Sequence, residues 1–267
     1  MSEKNIITIN SAVLYVLAFL LTTIIHEFMH AIIGSSFGSN PILHHNYVEH
    51  LSVENLTINQ KVTVALAGPL ISLTQGILSA IAYIKIRYIP HRLIHLFLLW
   101  FSVLGLFNFL GYLMTGFIFK AGDIGKSYNL LNAPFWIQIL LAITAATCFV
   151  SVAYKITTPY LRFSYHEKWL NDGKSRKNFS FHTLFLPWII GSCVITILYL
   201  PIIALISIIY PILSGMIFIF PWQNAEGIKN VEISTNQEIG KLSYKWIVLL
   251  IIFVIVFRFI LKPGIEI

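Results

Sequence analysis

Acidic residues are scarce in this chain of 267 residues: aspartate occurs only at Asp123 and Asp172, and Asp plus Glu total 11. Charged residues of both signs make up 11% and hydrophobic ones 57%, with a mean hydropathy of +0.79, which excludes an ordinary soluble domain. Cysteine occurs twice, as Cys148 and Cys193, each inside an apolar run, which excludes a disulfide framework and a thiolate metal site. No Glu-Glu pair occurs, which disfavours membrane proteases that work through paired glutamates. Internal repeats are missing too, and with them the inverted halves expected of many transporters.

What the chain has is long apolar stretches. Runs close to the roughly 20 residues that cross a bilayer lie at 11–33, 62–86, 93–119, 135–156 and 246–261. A sixth, 183–220, would be about 57 Å long as one helix, nearly twice the hydrocarbon thickness, so two passes broken near Pro201 or Pro211 are expected. The first run is longer than a signal-peptide core, carries His26, Glu27 and His30, and has no small-residue cleavage site after it, so it reads as a retained helix. The expected fold is all-α, a polytopic transmembrane bundle of six to seven spans in the lipid bilayer. Between the spans lie a His-rich loop, 34–61, and a polar connection, 223–245, with a strand-like VEIST.

The net charge of +7 is distributed unevenly. Lys4, Lys85, Arg87, Arg92, Lys155, Arg162, Lys168, Lys174, Arg176 and Lys177 fall on the side that holds residue 1, against Lys61, Lys120 and Lys126 across the first four spans. The positive-inside rule makes the first side cytoplasmic, with the basic loop 162–177 as orientation determinant beside anionic lipid and not a nucleic-acid site.

Ionisable groups at membrane depth are costly and are usually paired, metal-bound or facing a wet cavity. The first run nevertheless reads TTIIHEFMHAIIG. In H-E-x-x-H on a helix the two histidines, His26 and His30, stack one turn apart and can reach one zinc ion, while Glu27 stays close without ligating. Zinc lowers the pKa of a bound water towards about 7, and a carboxylate in the place of Glu27 can take its proton during attack on a carbonyl. The bland alternative is a buried polar network of the same three residues. A catalytic zinc usually takes a third protein ligand. Asp172 lies in the basic loop on the opposite side, whereas Asp123 follows the third apolar run at the membrane face where the first helix ends, so Asp123 is favoured. His44, His45 and His50 in the loop compete for the role.

Three elements together resemble the site-2 protease class of intramembrane zinc metalloproteases, the M50 peptidases. They are HEFMH in the first hydrophobic helix, ALAGPLISL at 65–73, and Asn108-Phe-Leu-Gly-Tyr leading to Gly122-Asp123. Ser72 stands where the family often has Asn, and Pro69 suits a first helical turn. The resemblance implies a metalloprotease-like membrane core over 1–134, with additional helices over 135–267. It implies zinc held by His26, His30 and Asp123, catalysis by Glu27, and Asn108 positioning the scissile carbonyl. The expected activity is a zinc metalloendopeptidase cutting a membrane protein or membrane-associated peptide, in the cell membrane of a bacterium. The competing functions are a zinc transporter or sensor, which leaves Glu27 without a task, and an inactive structural membrane protein.

Overall fold

The computed structural model describes residues 1–86, 91–200 and 215–267. Helix α1 spans Glu3–Ser36, α2 Ile58–Lys85, α3 Arg92–Thr115, α4 Asp123–Leu130, α5 Phe135–Lys155, α6 Thr157–Leu161, α7 Gly173–Ser180 and α8 Leu186–Leu198. A short helix, Ile219–Asn224, and a longer one, Tyr244–Ile255, follow; π-helical turns at Phe181–Phe185 and Val256–Leu261 continue α7 into α8 and extend the longer helix. Among the described residues six helices are long and apolar enough to cross a membrane: Glu3–Ser36, Ile58–Lys85, Arg92–Thr115, Phe135–Leu161, Gly173–Leu198 and Tyr244–Leu261. The chain is an all-α helical bundle, as its hydropathy dictates. The expected break near Pro201 or Pro211 lies outside the described residues.

Local chemistry sets the ends that matter. α1 stops at Ser36 because the chain turns through Gly38 at φ 77°, and Ser39 N–H returns to the Gly34 carbonyl at 3.0 Å. α2 starts with a capping box: Thr57 N–H donates to Gln60 Oε1 at 2.8 Å, and Gln60 N–H donates to Thr57 Oγ1 at 3.4 Å. Pro69 does not sit in a first turn. It lies inside α2, since the helix begins a whole capping box earlier than the apolar run suggests. A membrane-spanning helix tolerates this because neighbouring groups re-satisfy the freed backbone.

The contacts divide the chain into two units. The first, Met1–Ala18, Ser79–Phe101 and Val150–Ile252, has an aromatic centre in Trp100, whose ring meets Tyr15, Tyr160 and Phe218 at 4.9, 5.0 and 5.4 Å. Three polar side chains of α1 are paired in register with the α7–α8 span. Thr8 Oγ1 meets His182 Nδ1 at 3.0 Å, Ser11 Oγ donates to the Thr183 carbonyl at 2.6 Å, and Tyr15 Oη meets Ser192 Oγ at 3.3 Å. The pairs advance together along both helices, with separations of 174, 172 and 177 residues, so the two helices run parallel. The VEIST segment of this unit is irregular and forms no strand. Its alternation is too short, and no strand among the described residues pairs with it.

The second unit, Phe19–Leu78, Ser102–Phe149 and Phe253–Ile267, contains the expected ligands. The segment after α1 is more ordered than a loop. Strands β1 (Pro41–Leu43) and β2 (Val48–His50) form a hairpin, and β3 (Ile265–Glu266) adds to the other side of β1, giving the order β2-β1-β3. Leu43 packs with Ala31 and Leu261, which fastens the hairpin to α1. α2 and α3 approach closely where side chains vanish: a Cβ on Gly105 would lie 2.7 Å from the Ser72 carbonyl oxygen and 2.8 Å from Gly76 N.

Candidate metal centre

α1 carries His26 and His30 one turn apart, both buried, at 2% and 6% exposure. Asp123 comes from elsewhere. It is not on the third span, which ends at Thr115, but is the first residue of α4, capped by Gly122. The buried Ile124, Ser127 and Tyr128 anchor α4, so the carboxylate is presented by a packed helix.

The three side chains converge. His26 Nε2 lies 3.1 Å from Asp123 Oδ2, His30 Nε2 lies 3.4 Å from the same oxygen, and the two Nε2 atoms are 3.2 Å apart. An ion with tetrahedral bonds of about 2.0–2.1 Å sets its ligand edges at about 3.3 Å. All three edges agree with that. The buried group His26, His30 and Asp123 could hold a metal ion.

The outer hydrogen bonds aim the imidazoles. His30 Nδ1 lies 2.7 Å from the Val64 carbonyl oxygen, which can only accept, so the proton is on Nδ1 and Nε2 offers its lone pair inward. His26 Nδ1 is 3.1 Å from Ser72 Oγ. The flat ring of Tyr112 stacks on His26 at 5.2 Å with 15° between planes. Without a cation such a cluster is held by protons: burial alone would raise the Asp123 carboxyl, but the charge of His30 and hydrogen bonds from both imidazoles hold it well below the usual carboxylate range. A metal ion competes with those protons for the same lone pairs.

Space for an ion is built into α2. A Cβ on Gly68 would lie 2.6 Å from His26 Nε2 and closer still to His30 Nε2, so only glycine leaves the face of both ligand atoms open. The Ala-Gly-Pro segment thus meets the histidines directly. Glu27 is 9% exposed, follows His26 directly on α1, and its side chain makes no hydrogen bond to the described residues. Asn108 is buried, with Oδ1 lacking a hydrogen-bond partner among the described residues, and lies one turn before Tyr112 on the same face of α3.

The loop histidines are placed elsewhere. His44 Nδ1 donates to the Lys262 carbonyl at 3.1 Å, His45 meets the Phe257 ring at 4.9 Å, and His50 Nδ1 is 2.8 Å from Ser39 Oγ. None of them joins the three-residue group. Asp172 caps α7, accepting from Ser175 N–H at 2.9 Å. The contacts of Ser72, Tyr112 and the Val64 carbonyl with the histidines, and the clearance at Gly68, were not legible in the sequence. The one signal was the four-residue spacing of Gly68 and Ser72, which puts both on one face of α2. No protein-family model, curated protein or solved structure matches this chain.

Proposed function

We propose that the protein is an intramembrane zinc endopeptidase of site-2 protease type, cutting a peptide bond of a membrane protein or membrane-associated peptide within or beside the bilayer. The convergence of His26 Nε2, His30 Nε2 and Asp123 Oδ2 at the edges of one tetrahedron carries the reading. Two imidazoles and a carboxylate suit zinc with one position left for a reactant, and the quarter exposure of the Asp123 side chain gives that position a way to water. Bound there, zinc supplies a Lewis acid that polarises the scissile carbonyl and lowers the pKa of water.

Glu27 then acts as general base. Its carboxylate, free of hydrogen bonds to the described residues, takes a proton as the water oxygen bonds to the carbonyl carbon. As the C–N bond breaks, the same carboxyl gives that proton to the leaving amine. Asn108, buried one turn from Tyr112, is assigned to hold the substrate peptide group. A helical substrate hides its carbonyls and must be extended first; β2, paired with β1 alone among the described residues, offers its other edge to such a strand. The side bearing 162–177 is assigned to the cytoplasm of a bacterial cell.

The test is co-expression with single-span membrane proteins, following a fragment cut near the zinc-bearing face. Wild type should produce it and Glu27→Gln should not. Equal cleavage by both removes the mechanism.

A further inference from the structure

His30 is oriented by a backbone carbonyl, which no side-chain substitution removes, but His26 depends on a hydroxyl. That hydroxyl has a defined polarity. Ser72 Oγ is also 3.1 Å from the Gly68 carbonyl oxygen, and a carbonyl can only accept, so the serine proton points there. Its lone pairs are left for His26, and the contact at 3.1 Å is His26 Nδ1–H donating to Ser72 Oγ. The chain runs in one direction: imidazole N–H to hydroxyl, hydroxyl to carbonyl. Reversal would put two acceptors face to face.

We infer that Ser72 is a positioning residue for the metal centre, which fixes His26 as the tautomer whose Nε2 lone pair faces His30 and Asp123. The inference rests on the proposed zinc site and adds a determinant of its affinity. Ser72 is fully buried in the second unit, so water does not replace its hydroxyl when it is removed. Tyr112 stacked on the ring fixes its plane but not which nitrogen carries the proton. One turn of α2 thereby has two tasks: Gly68 clears the ion's place and, through its carbonyl, orients the serine that orients the ligand.

Cobalt(II) titration of the purified full chain in detergent tests this, by affinity and by the visible d–d spectrum. Outer-shell hydrogen bonds to a ligand are commonly worth about 10–100-fold in metal affinity. Ser72→Ala should weaken cobalt binding by about that factor while saturating at the same stoichiometry with an altered spectrum. Ser72→Thr, which keeps the hydroxyl, should restore affinity to within about threefold of wild type. Ser102→Ala is the packing control: its hydroxyl is buried and donates to the Gly76 carbonyl at 2.9 Å, and it should leave affinity and spectrum unchanged. Unchanged affinity in Ser72→Ala, an equal loss in Ser102→Ala, or no rescue by Ser72→Thr overturns the role. A wild type that binds no cobalt overturns the metal centre itself.

Discussion

Replacing Gly68 by alanine probes the site with one methyl group, because the new Cβ would stand against the Nε2 atoms of both histidines. In a helix interior Gly→Ala usually stabilises by about 0.5–1 kcal/mol through the backbone entropy of the unfolded chain. Gly68 lies inside α2, so a purely structural position would show that gain. Here the new Cβ would stand 2.6 Å from His26 Nε2, and that imidazole must withdraw by about 0.8 Å to reach ordinary contact at 3.4 Å. His30 must move further. Neither is free to do so, with Nδ1 of one held at Ser72 and of the other at Val64. Metal–ligand distances tolerate about 0.2 Å, so two lengthened bonds should cost at least about 100-fold in affinity. Isothermal titration with zinc, beside thermal unfolding of the metal-free chain, reads both quantities. The expected result is a chain that still folds, its backbone gain offset by the displaced imidazoles, and whose zinc affinity is at least about 100-fold lower. Wild-type zinc affinity in Gly68→Ala would refute the placement of α2 against the histidines.

Other outcomes follow from the same geometry. Asp123→Ala should weaken zinc binding and abolish cleavage, whereas Asp172→Ala, which removes the cap of α7, should leave zinc affinity intact and lower thermal stability slightly; metal titration and melting curves of the two variants decide this. His45 is held down at about 4, against an ordinary 6.5, by burial and then by Arg258, His44 and Lys262. The folded chain therefore binds fewer protons than the unfolded one between those values, and the stability conferred by neutral His45 is present above 6.5 and lost as pH falls towards 4. Amide exchange in β1 and β2, corrected for its intrinsic pH dependence, should speed up across that window, and a flat profile would contradict it. Reporter fusions should place 162–177 in the cytoplasm and 34–61 outside; a cytoplasmic label on 34–61 would reverse the orientation.

The spans were legible because bilayer thickness imposes a length on every apolar run, and boundaries moved where a cap extends a helix into polar sequence, as Thr57 and Gln60 do for α2, or where the chain turns early, as after Thr115 for α3. His26, Glu27 and His30 were legible because helical spacing alone puts them together. Asp123 could be reached by elimination and by resemblance but not by periodicity, since its position depends on the turn between α3 and α4. Ser72 and the Val64 carbonyl were illegible as partners for a similar reason. Which residues of α2 face α1 is a matter of helix packing, and a backbone carbonyl has no sequence signature. The hairpin β1–β2 was missed because three-residue strands carry too little alternation to stand out from a loop.

If His26, His30 and Asp123 are ligands of one ion, the chain should carry one zinc that each of them helps to hold. Elemental analysis of the full chain purified in detergent, as wild type and as His26→Ala, His30→Ala, Asp123→Ala and Glu27→Gln, tests it most directly. Wild type and Glu27→Gln should each contain one zinc per chain, since Glu27 lies outside the ligand group, and either histidine variant should contain essentially none. Asp123→Ala should fall clearly below wild type. Full zinc occupancy in both histidine variants, or none in the wild type, would contradict the account.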